Sequence, residues 1–218
     1  MMKFYDSLGP NPRLVRMFFH EKGIGIPERV QVDIMKGENR QEPYLRKNPA
    51  GQLPALELED GTVIAETVAI CEYLEDIRPE PHRIGASPRA RAITRMWTRR
   101  VEDKITRPLT DGFRFAEGLA MFKDRVHVIP QAADDLKQIA AEGLAWLDGQ
   151  MEGRAWVAGA EFSLADVLLY AFLDFGVGVG QPLPDELEGI GGWMERVAKR
   201  PSAEASIHPA ARAAGMRA

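Results

Sequence analysis

The chain has 218 residues, 45% apolar and 28% charged, the proportions of a globular protein large enough to bury a core without disulfide or metal staples. Its 28 basic and 32 acidic side chains leave a net charge of −4, so the whole chain offers no positive field for nucleic acid. The single cysteine, Cys71, excludes an internal disulfide and a thiolate metal cluster, and suits a reducing, cytoplasmic compartment.

The first ten residues carry one lysine and no apolar run, so no secretory signal is expected. Residues 3–5 form a short strand candidate. Residues 12–22 read as a helix with Leu14, Val15, Phe18 and Phe19 on one stripe, ended by Gly23. Residues 29–34 alternate as a half-buried strand does, and 41–47 read as a short helix. Residues 55–58 and 62–65 flank Glu59-Asp60-Gly61, and Asp-Gly signals a hairpin. Residues 67–76 follow as a helix with Val68, Ile70, Cys71 and Leu74 apolar. A βαβ unit needs a parallel pair and a hairpin adds antiparallel strands, so this order predicts a small mixed sheet with helices on its faces.

The charge then changes. Residues 1–80 carry 10 basic and 14 acidic side chains, whereas 81–218 carry 18 of each. Pro79, Pro81, Gly85 and Pro88 mark the change, and such a cluster behaves as a linker. The expected organisation is an α/β domain at 1–80, a linker at 81–87 and an all-helical domain at 88–218. Ser87 before Pro88 is an N-cap followed by proline in the first turn. Helices are predicted at 88–117, 130–151, 164–176 and 186–199. Ser163 and Asp166 have capping-box spacing, with Asp where Glu or Gln is usual. The Ala-rich end after Pro201 is expected to pack loosely. No apolar run approaches the roughly 20 residues that span a bilayer, so no membrane is expected.

Three segments carry candidate chemistry. Ser7-Leu8-Gly9-Pro10-Asn11-Pro12-Arg13 joins the first strand to the first helix. Backbone N–H groups at a helix start are unpaired and partly positive, so an anion, including a thiolate, can sit there, with Ser7 or Asn11 donating to it. A simple Asn11 cap explains the same turn. In Asn48-Pro49-Ala50-Gly51-Gln52-Leu53-Pro54, a cis peptide before Pro54 would leave the Leu53 N–H and C=O free for an extended peptide. An ordinary loop reads the same way. Glu66-Thr67 opens a helix directly after a strand, where free amides suit a carboxylate and Glu66 suits an ammonium. An ordinary helix start again fits.

Together these segments resemble the thioredoxin-like half of a cytosolic glutathione transferase. NPAGQLPALELEDGTVIAET resembles that family's glutathione-binding loop, hairpin and helix start; PNPRLVRMFFHEKGI resembles its first helix; WVAGAEFSLADVLLYA resembles the capping-box helix of its all-helical half. The resemblance implies an α/β thioredoxin-like domain plus an all-α bundle, with glutathione as co-substrate. Leu53, before a cis Pro54, would pair with the cysteinyl part. Glu66 and Thr67 would hold the γ-glutamyl end, with Gln52 between these anchors. Asn39 and Arg40 would face the glycyl carboxylate, Lys36 competing with Arg40.

The best-known classes place a tyrosine, serine or cysteine in the first turn. Here Gly9 stands at the serine slot and Ser7 near the tyrosine slot. Asn11 resembles the asparagine of nu-like bacterial transferases, so Asn11, then Ser7, are the expected catalytic residues. Tyr5 is expected to pack inward from its strand, and Cys71 to be a buried structural thiol. The implied reaction joins the glutathione thiolate to a small apolar electrophile. Attack on a small disulfide, or glutathione and ligand binding without turnover, are the alternatives. Thr110, Phe113, Arg114, Phe172 and Phe175 are candidates for the electrophile pocket. Arg91, Arg95 and Arg99 recur at helical spacing, as a solvated face or as part of a homodimer interface. None of the four histidines has a partner at metal-ligand spacing, so no metal is expected.

Overall fold

The computed structural model describes residues 1–218. Strands β1 (Lys3–Asp6), β2 (Glu28–Gln31), β3 (Ala55–Glu57) and β4 (Val63–Ala65) form one sheet in the order β2-β1-β3-β4. β1 runs parallel to β2 and antiparallel to β3, and β3 pairs antiparallel with β4. This is the predicted mixed sheet. Helix α1 (Pro10–Glu21) supplies the crossover that a parallel pair requires. Alternation along the strands separates two cores. Phe4 and Leu56 join the main core with Leu14, Phe18 and Phe19 of α1 and with Ile70 and Leu74 of α3 (Thr67–Ile77). Tyr5 and Ala55 point to the other face, into a small cluster with Leu53 and with Tyr44 of the short helix α2 (Tyr44–Lys47).

The remaining chain is helical: α4 (Pro88–Val101), α5 (Arg107–Phe115), α6 (Leu119–Phe122), α7 (Ala133–Gln150), α8 (Leu164–Gly178), α9 (Glu188–Ala198) and α10 (Pro201–Ala205). α8 is buried from Leu164 through Gly176 and packs against α1, so it forms the spine between the two lobes. The Ser87 Oγ accepts the Ala90 N–H at 3.1 Å, which caps α4 as predicted. At the start of α8, Asp166 accepts from the Ser163 N–H, the Val157 N–H and the Trp193 indole N–H, each at 2.9 Å. Burial raises this carboxyl above its ordinary value, and these donors pull against the shift.

Two readings need correction. The helix predicted over 88–117 is α4, a π turn at Glu102–Thr106, and α5. Pro108 has no N–H for the Lys104 carbonyl, so the ladder widens there. The end after Pro201 is packed rather than loose, with Ser202, Ala203, Ser206, Ala211 and Ala218 buried. Two arginines of α1 have no exposed surface and need acceptors. Arg16 donates to the Ser206 carbonyl at 2.7 Å, and Arg13 to the Arg217 carbonyl at 2.8 Å and to Asp174 at 2.6 Å.

The α4 arginines also make contacts within the chain. Arg95 donates to both carboxylate oxygens of Glu72 at 2.7 and 2.8 Å, and Arg91 to Asp76 at 2.8 Å. Both acids lie on α3 of the same chain, so these charges join the two lobes. Glu21 of α1 also joins the lobes, accepting from Arg83, Arg200 and Ser202. Burial works to raise the Glu21 carboxyl, but hydrogen bonds from Arg200 and Ser202 and the nearby positive charges hold it below the ordinary value of 4.5. A lowered folded value gives stability above the unfolded pKa that is lost as pH falls through the folded one. Melting temperature should therefore fall as pH drops below about 4.5, and Glu21→Gln should make that fall shallower. Parallel curves for the two proteins would contradict the assignment.

Candidate active site

A cleft of about 210 Å³ lies between the lobes. Asn11, Asn39, Arg40, Gln52, Leu53, Pro54, Glu66 and Thr67 all line it. Ser7 does not. It is buried, and its hydroxyl donates to the Val32 carbonyl at 2.7 Å, so the expectation of a catalytic Ser7 is withdrawn. Lys36 pairs with Asp33 outside the cleft, which leaves Arg40 as the cation that this loop itself brings to the cleft.

The tip of α1 is sparser in amides than the sequence reading supposed. Gly9, at φ 122°, is the cap, and Asn11 is the second helical residue rather than the cap itself. Pro10 and Pro12 have no N–H, and the Arg13 N–H bonds the Gly9 carbonyl at 3.2 Å. Asn11 therefore supplies the free amide of the first turn, and its side chain makes no hydrogen bond within the protein. Tyr5 is no rival. Its hydroxyl donates to Glu57 on β3, and burial with that carboxylate pushes its pKa up to about 12.

The second wall is a built loop. The Leu53–Pro54 peptide is cis, and the Leu53 N–H and C=O have no partner in the protein. The Gln52 carbonyl accepts from the Tyr44 hydroxyl and from the Asn48 amide, which leaves the Gln52 side chain exposed at the cleft. The Asn39 amide donates to the Gly51 carbonyl at 2.6 Å, tying two loops together, while its buried Oδ1 is unpartnered. Gly51 has φ 61°, and a Cβ there would sit 3.0 Å from the Asn39 carbonyl and 3.1 Å from Arg40, so glycine permits the close approach.

Glu66 precedes α3 with φ 67°, the left-handed region that non-glycine residues occupy at a cost of roughly 1–3 kcal/mol. Its side chain makes no internal hydrogen bond, and the Thr67 N–H opens the helix unpaired. An exposed carboxylate thus stands beside a helix-start amide.

The opposite wall is mostly apolar, with two arginines and a threonine among its side chains. Thr110, Phe113, Arg114 and Phe175 line it, as expected, but Phe172 is buried elsewhere in the core. Phe113 packs edge-on against Phe175 at 5.1 Å and against Phe122 at 6.1 Å. Sequence reasoning missed Met121, Phe122, Arg125, Val126 and Met216, and also Ile34 and Met35 across the cleft. Cys71 is fully buried, and burial raises its thiol, in keeping with a structural residue.

Residues 9–77 match the glutathione S-transferase N-terminal domain, and 119–201 match its C-terminal domain. Glutathione S-transferase 2 of Saccharomyces cerevisiae is 34% identical over 206 residues, covering 92% of this chain and 87% of the yeast protein. The chain belongs to the glutathione S-transferase family. The crystal structure of Gtt2 from Saccharomyces cerevisiae superposes with a TM-score of 0.88 at 30% identity, covering 94% of this chain and all of that one. A glutathione S-transferase domain-containing protein of Marinobacter aquaeolei superposes at 0.86 with 35% identity, covering 92% and 98% of the two chains. The protein is a glutathione transferase of thioredoxin-like plus helical architecture, with glutathione as its co-substrate.

Proposed function

We propose that glutathione lies extended along the Leu53 edge with its sulfur at the tip of α1. The unpaired Leu53 N–H and C=O, in the same cleft as the free Asn11 amide, carry this reading. Leu53 pairs with the cysteinyl backbone. Glu66 takes the γ-glutamyl ammonium, and the Thr67 amide takes its carboxylate. Gln52 lies between, and Arg40 takes the glycyl carboxylate, on the loop that Asn39 ties to Gly51. A guanidinium suits a carboxylate because it can donate two parallel bonds.

Asn11 holds the thiolate. A free thiol has a pKa of about 8.5, and lowering it by ~2 units takes about 2.7 kcal/mol. One or two hydrogen bonds to the anion at a helix terminus supply that. The thiolate then attacks an electrophilic carbon. A sulfur–carbon bond forms, and the leaving group departs with its electron pair. The aromatic wall selects a small apolar electrophile and holds it in line with sulfur. The same reading takes the enzyme as a cytoplasmic homodimer acting in detoxification.

Calorimetry with reduced glutathione, followed by turnover of an aryl halide and of a small mixed disulfide, tests it. Conjugation of the halide is expected. Turnover of the disulfide alone would replace conjugation with reduction, and binding without turnover would make the cleft a carrier site. Glu66→Gln should raise the glutathione KM about tenfold, a loss of about 1.4 kcal/mol, with the electrophile KM unchanged. An unchanged glutathione KM would remove Glu66 from the site.

A further inference from the structure

Arg125 follows α6, on the wall that holds Met121 and Phe122. Its guanidinium crosses the mouth of the cleft and donates to two backbone carbonyls of the other lobe, those of Ile34 and, at 2.8 Å, Met35. These carbonyls begin the loop that ends in Asn39 and Arg40. The loop is otherwise tied within itself and to one neighbour. Asp33 accepts from the Met35 N–H at 2.8 Å and the Lys36 N–H at 3.1 Å, and Glu38 accepts from the Asp33 N–H at 2.8 Å. Asn39 fixes the far end to Gly51.

We propose that Arg125 is a positioning residue for glutathione, a clasp through which the electrophile wall sets the loop carrying Asn39 and Arg40. This rests on the placement of glutathione given above. The planar fork of a guanidinium spans two carbonyls of one turn, whereas an ammonium is a point donor on a flexible stem. The clasp acts through the loop, on the glycyl end. The tip of α1, where sulfur reacts, is on a different element. Loss of the clasp should therefore weaken glutathione capture more than the chemical step. It also couples the two halves of the site. A bound tripeptide that steadies the loop steadies the segment at 119–126 in turn.

Arg125→Gln and Arg125→Lys test the proposal by steady-state kinetics with reduced glutathione and an aryl halide. The glutamine variant should raise the glutathione KM about tenfold with kcat within about twofold, and lysine should fall between it and the wild type. An unchanged glutathione KM would overturn the proposal, as would a fall in kcat and melting temperature with KM unaltered. Amide hydrogen exchange on the wild type decides the matter even if the variants fold poorly. Reduced glutathione should slow exchange at 119–126, and no slowing there, with binding shown by calorimetry, would overturn the clasp. A wild type that does not bind glutathione would remove the site reading itself, and the clasp with it.

Discussion

Asn11→Ala should move the acid limb of the pH–rate profile for conjugation upward by about one unit and lower turnover near neutrality about tenfold or more. The first turn of α1 holds two prolines, so little remains to stabilise a thiolate once the Asn11 side chain is gone. One hydrogen bond to a charged group is worth about 1.5–3 kcal/mol, and each pKa unit about 1.4. The backbone N–H of residue 11 survives the substitution, so part of the shift should remain. Ser7→Ala supplies the contrast. Its hydroxyl serves the Val32 carbonyl away from the cleft, so its profile should coincide with that of the wild type. A shifted profile in Ser7→Ala with none in Asn11→Ala would reverse the roles given to these residues.

Arg16→Met should cost about 3–5 kcal/mol of folding stability, because it leaves a buried charge uncompensated. Arg16 and Asp6 have no exposed side-chain surface, and they meet at 2.5 Å. The same guanidinium holds the Ser7 carbonyl at 3.1 Å and the Ser206 carbonyl at 2.7 Å. For a chain of this size each kcal/mol corresponds to about 2–4 °C, so the melting temperature should fall by about 6–20 °C. Asp6→Leu added to Arg16→Met should recover part of the loss, since removing both charges avoids the stranded carboxylate. Arg91→Ala, which breaks a more exposed pair with Asp76, should cost no more than about 1 kcal/mol. Similar losses for Arg16→Met and Arg91→Ala in denaturant titration would show that the buried network does not govern stability.

Local chemistry made much of the fold readable. Asp60-Gly61 marks the hairpin, Ser87-Pro88 starts α4, and Ser163 with Asp166 starts α8, because each depends on neighbouring residues alone. The groove residues were legible for the same reason, as Leu53-Pro54 and Glu66-Thr67 each sit at a strand or helix boundary. Other features depend on distant partners. Arg13 and Arg16 look like surface charges on a helix, and only the fold shows that the carbonyls at 203, 206 and 217 surround them. The same contacts explain why the Ala-rich end is packed. The direction of the Ser7 hydroxyl depends on β2, beyond any local signal. The wall at 119–126 carries no regular apolar period, since its residues face a cleft on one side and solvent on the other.

The most direct test is a crystal structure of the enzyme with reduced glutathione. The account requires the cysteinyl backbone of the tripeptide to pair with the N–H and C=O of Leu53, and its sulfur to lie within hydrogen-bond reach of Asn11. A tripeptide bound elsewhere, or a sulfur pointing away from the start of α1, would contradict it.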